Sequence, residues 1–411
     1  MLTRYITTTS VVIIHKIDLK DDLLIPIKQE YMSDQIKFTC AISNLSARQD
    51  SVVVFTNGGC LADGHGTDGG FYSSQTCDEI EKRHLSKDKN VEKWSEEIHN
   101  NLLSLRQEIE SFLEIKDGVP YRNGRITHGG TTATYVSVDP SSKTMTIANA
   151  GDSDGYVLTQ NGDVFQAHRI TANHKPSSKE QYLRLEALRQ SGMNVGRMVW
   201  NTKIVPHVPI FDESGNAIDY FSPHTDLIDT TKAYNNVSSA LELDPTNEEK
   251  KEEKKKCLEA YHQAYRKSSA HPTFKTHSRL LVGTAKGEYG CYLEGPKDTE
   301  CGRETYLACT VSIGDHHAKK VGSRSNWDVS RIDLTSFVGE KRMIFVASDG
   351  VHDCFTEEDL AKIVLTTPSD QELLQKFVDK SKELFGSRKP GTSELVQADD
   401  ISFFRADISH L

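Results

Sequence analysis

Short runs of apolar and β-branched residues recur along the chain, separated by polar and glycine-containing stretches. Such runs predict strands, here at Ile36–Ser43, Ser51–Thr56, Thr131–Val138, Thr144–Ala150, Arg342–Ala347 and Ile401–Ile408. Between Tyr156 and Ala167, the pair Asn161-Gly162 separates two further β-prone runs and predicts a tight hairpin, because its turn needs a positive φ. The pattern therefore favours a core rich in β-sheet.

Helical periodicity is strongest between Val91 and Phe112, where apolar residues recur at steps of three and four. This spacing predicts a long helix with one apolar face. Packing on a sheet is favoured over a partner-binding coiled coil, because the pattern is too short for sustained heptads. Two more helices are predicted by capping-box spacing and by glycine stops, at Ser177 with Glu180 before Gly192 and at Ser369 with Glu372 before Gly386.

The order of these elements indicates layered α and β structure rather than a regular βαβ winding. We expect one domain over residues 1–411, since large β folds with added helices can reach this length. From about residue 197 to residue 302 the pattern breaks down, and we interpret this stretch as a surface insertion with one or two helices. Its charge run, Glu248–Lys256, is interpreted as a solvated face rather than a docking patch.

Composition narrows the class of protein. The 411 residues include 49 Lys and Arg against 59 Asp and Glu, a net charge of −10, which argues against nucleic acid as a partner. The eight cysteines form no CxxC pair and no zinc-ligand spacing, as in proteins of reducing compartments. No apolar stretch is long enough for a membrane span or a signal peptide. We expect a cytoplasmic or nuclear protein without a membrane partner.

Aspartates beside glycines suggest a cation site. Three motifs that end or follow β-prone runs contain such a pair: CLADGHG around Asp63, AGDS around Asp152 and FVASDG around Asp349. Asp399-Asp400 and Asp50 precede further strands. A single Asp-Gly pair is more often a turn, but glycine allows a carboxylate and a backbone carbonyl to reach one ion. Carboxylates without cysteines suit Mg²⁺ or Mn²⁺ rather than zinc.

The order of the motifs RQD, LADGHG, GGTTAT, ANAGDS, ANHKP, SIGD, VASDGVHD and ADDISFF resembles that of the type 2C serine/threonine protein phosphatases, the metal-dependent PPM family. The resemblance extends from about Arg48 to Phe404, apart from the insertion. It implies an α+β fold with a central antiparallel β-sandwich flanked by helices, in four layers α-β-β-α, and an enlarged flap insertion at about 197–302. It also implies a two-metal cleft at one end of the sandwich.

The resemblance assigns ligands by motif. Two Mg²⁺ or Mn²⁺ ions are expected, with Asp63 bridging them and the Gly64 carbonyl assisting. Asp349 and Asp399 would complete the first ion, and Asp50 would serve the second. Asp152 and Asp353, helped by Asp349, would hold a third and weaker ion. The implied function is hydrolysis of phosphoserine and phosphothreonine in proteins by a water activated between the two cations, without a phosphoenzyme.

Two further side chains are given roles by the resemblance. His65 matches the family's proposed general acid, since an imidazole can protonate the leaving oxygen near neutral pH; a structural turn histidine is the alternative. Family members grip the substrate phosphate with an arginine four or five residues before the early acidic ligand. Leu45 and Ser46 stand there, so Arg48 is the nearest candidate, because guanidinium binds phosphate in a bidentate manner.

Two aspartates stand where members of the family commonly have other residues. Asp154 replaces a common arginine and Asp400 a common asparagine, and both are expected to add negative charge near the cleft.

The missing arginine favours one rival function, that of a weak or inactive phosphatase-like scaffold that binds phosphoproteins. A second rival is a hydrolase of another phosphate ester, although no P-loop is present. Phosphoprotein substrates are the expected partners. The sequence leaves the choice between Mg²⁺ and Mn²⁺ and the oligomeric state open, with a monomer as the expectation.

Overall fold

The computed structural model describes residues 12–13, 36–44, 49–176, 178–196, 198–201, 208–211, 217–221, 225–269, 278–281, 291–297, 304–385, 387–388, 395–396 and 399–411. The chain divides into two compact units. Unit 1 comprises Met1–His174, Val311–Lys319 and Arg324–Leu411, and unit 2 comprises Lys175–Thr310 and Lys320–Ser323. A single domain with an insertion at about 197–302 remains a prediction.

The helices are α1 (Gly69–Leu85), α2 (Val91–Ile109), α3 (Lys179–Gln190), α4 (Thr225–Leu243), α5 (Glu248–Ser269), α6 (Asp349–His352), α7 (Glu357–Thr366) and α8 (Asp370–Phe385). The strands are β1 (Val12–Ile13), β2 (Phe38–Ser43), β3 (Ser51–Phe55), β4 (Gly58–Ala62), β5 (Gly64–Gly66), β6 (Leu113–Lys116), β7 (Val119–Arg122), β8 (Arg125–Ile126), β9 (Gly129–Thr131), β10 (Ala133–Asp139), β11 (Thr144–Ala150), β12 (Asp154–Asn161), β13 (Val164–Arg169), β14 (Met198–Asn201), β15 (Val208–Phe211), β16 (Ala217–Phe221), β17 (Ser278–Leu281), β18 (Cys291–Lys297), β19 (Glu304–Leu307), β20 (Ile313–Gly314), β21 (Asp328–Asp333), β22 (Lys341–Ala347), β23 (Ser387–Arg388), β24 (Leu395–Val396) and β25 (Ile401–Asp407).

Unit 1 is built on two antiparallel sheets. The first has the strand order β1-β3-β4-β10-β11-β21 and the second the order β13-β12-β22-β25-β2. Neighbouring strands in both sheets are antiparallel. The candidate site described below lies at strand ends: those of β3 and β4 in the first sheet, and those of β22 and β25 in the second.

The sequence of β3 shows why the sheets form layers. Successive side chains of a strand point to opposite faces, so Val52 and Val54 pack between the two sheets while Val53 and Phe55 pack towards α1 and α2. On the other side, Phe345 and Phe403 of the second sheet pack with α7 and α8. The layers are therefore α-β-β-α, and the predicted α+β sandwich flanked by helices is confirmed.

The predicted elements of unit 1 are largely confirmed. The six predicted strands and the long helix are present, and Gly162 adopts φ +57 in the β12–β13 turn. The Ser369 hydroxyl accepts the amide of Glu372 at 3.3 Å at the start of α8. Helix α1 was not predicted, because its buried face includes Ser73 and Thr76 as well as apolar residues. Small polar residues on an inner face weaken the apolar periodicity that marks a helix.

Unit 2 contains α3, the helix pair α4 and α5, a four-stranded sheet β17-β14-β18-β19 and the two-stranded sheet of β15 and β16. Leu185, Leu293 and Val321 form a small buried cluster. The Glu248–Lys256 run lies in α5 and is mostly exposed, in agreement with a solvated face. Ser177, the predicted cap of α3, lies outside the described residues, and Ser178 precedes the first helical residue without a side-chain cap.

Candidate metal centre

Asp50 and Asp63 lie together at one end of the first sheet. Strands β3 and β4 are antiparallel with Ser51 opposite Ala62, so the residue before β3 and the residue after β4 meet at the same edge. The two carboxyl groups interact directly. Residues far from the turn of a hairpin thus become neighbours because of strand register alone.

Asp349 and Asp399 reach the same region from the second sheet. Strands β22 and β25 pair with Ala347 opposite Phe403, Asp349 begins α6 just after β22, and Asp399 lies two residues before β25. The Asp63 carboxylate is close enough to be affected by the charges of both Asp349 and Asp399. Four of the predicted ligand carboxylates therefore converge at one end of the sandwich of unit 1.

Backbone hydrogen bonds and glycines fix this convergence. The Asp63 carbonyl accepts the Thr132 amide at 2.8 Å and the Thr131 hydroxyl at 2.9 Å. A Cβ at Gly64 would lie 2.4 Å from a backbone oxygen of Gly69. A Cβ at Gly350 would similarly come within 2.2 Å of the Asp400 carbonyl. These close backbone approaches explain why glycine follows the aspartate in both motifs.

Neighbouring carboxylates act on Asp50, Asp63 and Asp349 at this end of unit 1. Burial, and then the neighbouring carboxylates, raise the pKa of Asp50 and of Asp349 to about 7, and the pKa of Asp63 also lies well above its usual range. In the part of the chain that the structure describes, no lysine or arginine forms an ion pair with these three aspartates. These acids are therefore held together without a lysine or arginine partner among the described residues, and the only opposing charge that acts on Asp349 there is the imidazole of His352.

The donor chemistry fits a divalent cation of the Mg²⁺ or Mn²⁺ type, because the cluster offers oxygen ligands and no thiolate. The Oδ2 atom of Asp50 accepts the Ser402 hydroxyl at 2.6 Å, whereas its buried Oδ1 atom accepts no hydrogen bond from the residues that the structure describes. Among the described residues, however, no three histidine, cysteine or carboxylate side chains are grouped closely enough to hold one ion. The acids converge without forming a closed coordination shell.

Asp152 and Asp353 are the residues predicted for a third ion. Both lie close enough to Asp349 for their charges to raise its pKa. His352 lies between them: its Nε2 donates to the Asp152 carbonyl at 2.7 Å, and its Nδ1 is 3.3 Å from the Asp353 carboxylate. Burial opposes protonation, but the charges of Asp154 and Asp353 raise the pKa of His352 to about 9. A protonated imidazole thus contributes positive charge here.

Asp154 is a compensated charge rather than an added one. Its buried carboxylate forms an ion pair with Arg169 and accepts the Thr171 hydroxyl at 3.1 Å, and His352 lies 3.8 Å away. The expectation that Asp154 adds negative charge to the cleft is therefore wrong, because Arg169 and His352 balance it. The Oδ2 atom of Asp400 accepts the backbone amide of Gln49 at 2.7 Å.

His65 lies two residues after Asp63, in β5. Its Nε2 is 2.6 Å from Oδ2 of Asp315; the His65 side chain is 29% exposed and that of Asp315 is 3% exposed. Asp315 received no role from the sequence, although the SIGD motif contains it. Arg48, the candidate for gripping the substrate phosphate, and the neighbouring Leu45 and Ser46 lie outside the described residues.

Comparison with known proteins agrees with this geometry. Residues 34–204 match the family model described as Protein phosphatase 2C. No curated protein sequence matches the chain. The chain superimposes on the serine-threonine phosphatase 2C from Toxoplasma gondii with a TM-score of 0.51 and 9% identity, covering 97% of this chain and 99% of that one. This similarity supports the fold alone.

Two further solved structures show weaker similarity. A C. elegans sex determining protein superimposes with a TM-score of 0.48 at 14% identity, over 91% of this chain and 65% of that protein, so the chain spans about two thirds of its length. The catalytic domain of the phosphatase PstP in complex with two manganese ions gives 0.41 at 13% identity, over 90% of this chain and 97% of that one.

Residues 34–204 thus match the type 2C phosphatase family model, as the motif order indicated, and the fold of the chain is similar to that of a type 2C phosphatase. The matched residues include Asp50, Asp63 and Asp152, whereas Asp349 and Asp399 lie beyond them. Among the described residues, no helix is long and apolar enough to span a membrane.

Proposed function

We propose that the chain hydrolyses phosphoserine and phosphothreonine in proteins and depends on bound Mg²⁺ or Mn²⁺. The observation that carries the proposal is the convergence of Asp50, Asp63, Asp349 and Asp399 at one end of the sandwich, without a lysine or arginine partner for the first three among the described residues. Holding like charges together is unfavourable unless a cation joins them. The family match supports the same reaction.

The residues that would hold two ions are Asp63, the Gly64 carbonyl, Asp50, Asp349 and Asp399. Asp152 and Asp353 would serve a third. Bound divalent ions supply a water of lowered pKa and neutralise charge on the phosphoryl group.

The chain's own side chains complete the reaction. Hydrogen bonds from Thr131 and Thr132 to its carbonyl fix the backbone of Asp63, which places the start of its side chain at the end of β4. The partly exposed ring of His65 lies two residues further along β5 and delivers a proton to the departing seryl or threonyl oxygen. Arg48 is proposed to bind the substrate phosphate, because a guanidinium group forms paired hydrogen bonds with phosphate oxygens.

The test is an assay of the full chain with a phosphothreonine peptide, first with Mn²⁺ and then with excess EDTA. We expect turnover with Mn²⁺ and its loss, by at least about 100-fold, when the metal is removed. Restoring Mn²⁺ should recover the rate, which excludes irreversible unfolding by the chelator. Turnover that is unaffected by EDTA would refute the proposal.

The alternative is a phosphoprotein-binding scaffold with little or no turnover. The lack of a closed three-ligand group among the described residues favours it. Fluorescence anisotropy with a labelled phosphopeptide distinguishes the two functions: a scaffold binds the peptide with and without Mn²⁺ and leaves it phosphorylated. Conversion of the peptide in the presence of Mn²⁺ would exclude this alternative.

A further inference from the structure

We propose that Asp315 is a positioning residue for His65: its carboxylate accepts the Nε2–H of the imidazole, fixes the ring and its tautomer, and leaves proton exchange with the substrate to Nδ1. This inference rests on the proposed function. It adds to that function a residue that holds the acid but does not touch the substrate.

The first observation is the geometry of the pair. His65 Nε2 and Asp315 Oδ2 are 2.6 Å apart, the length of a strong hydrogen bond to a charged group. The Asp315 side chain is only 3% exposed, whereas 29% of the His65 side chain is exposed. The carboxylate thus lies behind the ring, and a substrate cannot approach Nε2 from that side.

The second observation is the way the backbone delivers Asp315. Its φ is +46, in the left-handed region, which costs a residue other than glycine about 1 kcal/mol or more. The Asp315 amide donates to the Gly129 carbonyl at 2.9 Å, and the Asp315 carbonyl accepts the Ala318 amide at 2.9 Å. The unusual conformation is therefore held from both sides by neighbouring backbone.

The third observation is the glycine that separates the two side chains. Gly130 in the central strand β9 has two register partners, His65 in β5 and Gly314 in β20. A Cβ at Gly130 would lie 2.2 Å from Asp315 Oδ2. The carboxylate therefore crosses β9 over a glycine to reach His65. Any other residue at position 130 would occupy the path.

Neighbouring charges keep Asp315 ionised. Burial opposes ionisation, but the charges of His65 and Lys319 nearby hold the pKa of Asp315 well below its usual range. Burial lowers the pKa of His317 to about 4 and that of His316 to about 3, so neither adds a positive charge at pH 7. The carboxylate of Asp315 can therefore accept the Nε2–H of His65 across the 2.6 Å that separates the two atoms.

The proton step balances with His65 alone. The protonated imidazole gives the Nδ1 proton to the seryl or threonyl oxygen as the bond from that oxygen to phosphorus breaks, while water forms the new bond to phosphorus. The ring becomes neutral and keeps its Nε2–H on Asp315. The products are the alcohol side chain and dihydrogen phosphate, which keeps both protons of the attacking water, and solvent returns a proton to the His65 ring.

The variant Asp315→Asn tests this role in the full chain with Mn²⁺. Asparagine tolerates positive φ, but it can turn its amide NH₂ towards Nε2 and select the wrong tautomer. We compare kcat on a phosphothreonine peptide, whose alkoxide leaving group needs a proton, with kcat on p-nitrophenyl phosphate, whose leaving group needs none. The loss should be about 10- to 100-fold greater on the peptide than on the aryl phosphate.

The chain offers a matched control. His174 and Asp328 form a second histidine–aspartate pair, with Nε2 and Oδ2 2.6 Å apart, and neither residue is among the proposed ligands. Asp328→Asn should leave the peptide-to-aryl ratio of kcat unchanged. His65→Gln should change the ratio as Asp315→Asn does, and the double variant should be no worse than His65→Gln alone. Equal losses on both substrates in Asp315→Asn would show a merely structural role and overturn the inference.

A second readout is independent of turnover. In the metal-free protein labelled with ¹⁵N-histidine, the His65 ring at high pH should carry its proton on Nε2, and Asp315→Asn should change this signal. A wild-type ring protonated on Nδ1 would contradict the pairing. If the wild type hydrolyses neither substrate, the proposed function fails, and the NMR result still reports separately whether Asp315 sets the tautomer.

Discussion

Two groups of aspartates in unit 1 differ in how their charge is balanced. Asp154 and Asp328 have cationic partners: Arg169 pairs with the first, and Arg324, at 2.7 Å, with the second. Asp50, Asp63 and Asp349 have no lysine or arginine partner among the described residues. Both groups lie near strand ends of the same sandwich, so burial and secondary structure alone do not distinguish them.

We propose that this difference distinguishes carboxylates with a structural role from those of the proposed metal site. A buried acid with a fixed cation is already satisfied, and removing its partner destabilises the fold. Acids grouped without such a cation lower the free energy of unfolding of the protein. Their mutual repulsion is relieved only when a cation binds between them. Asp154 and Asp152 are two residues apart in sequence, and only their contacts show that Asp154 belongs to the first group.

Asp63→Asn should have the largest effect. We expect kcat with Mn²⁺ to fall at least about 100-fold, because the residue proposed to bridge the ions loses its charge. The free energy of unfolding of the metal-free protein should stay unchanged or rise by up to about 1 kcal/mol, since one repelling carboxylate is removed. Calorimetry without metal measures this directly.

Asp154→Asn is the matched control for that variant, because it leaves Arg169 without its ion pair. It should lower the melting temperature of the metal-free protein. If Asp63→Asn destabilises the protein as much as Asp154→Asn does, the distinction between the two groups is wrong.

Arg169→Met should have an intermediate effect, on stability rather than on chemistry. The substitution leaves Asp154, which is 3% exposed, with His352 as its remaining cationic neighbour. We expect the free energy of unfolding to fall by roughly 1–2 kcal/mol. Urea denaturation followed by circular dichroism measures the change.

Arg331→Met is the comparison for that loss. Arg331 pairs with Glu92 at 2.8 Å, and both side chains are more than half exposed. Such surface pairs contribute little, so the change should stay within about 0.5 kcal/mol. A loss as large as that of Arg169→Met would mean that burial does not decide the outcome.

Asp328→Asn should have the smallest effect, a loss of stability that is present above about pH 4 and disappears in acid. Burial opposes ionisation of Asp328, but hydrogen bonds from His174 and Arg324 lower its pKa to about 2. A pKa lower in the folded than in the unfolded protein adds stability above about pH 4, and this stability is lost as the pH falls towards 2. The melting temperature of the variant should therefore fall less steeply over this range. An unchanged slope would contradict the assigned ion pair.

Much of the fold could be predicted from the sequence because its signals are local. Runs of apolar and β-branched residues identified β3 and β11, and the spacing of apolar positions identified α2. Helix α1 was missed because it packs through Ser73 and Thr76. The pairing of strands is not a local property, so the convergence of Asp50 and Asp349 depended on resemblance to a family rather than on pattern.

The sequence motifs indicated residues of the candidate site, but not which other side chains those residues contact. Motif order named Asp63 and His65, whereas Asp315 is 250 positions from His65 and is brought to it through the register of β5, β9 and β20. The compensation of Asp154 by Arg169 likewise depends on the pairing of β12 with β13. Sequence spacing carries no information about such contacts.

The most direct test is anomalous diffraction from crystals of the full chain grown with Mn²⁺. We expect two strong manganese peaks at one end of the sandwich. Asp63 should contact both ions, and Asp50, Asp349 and Asp399 should each contact at least one. An absence of manganese at these aspartates, with the metal at saturating concentration, would contradict it.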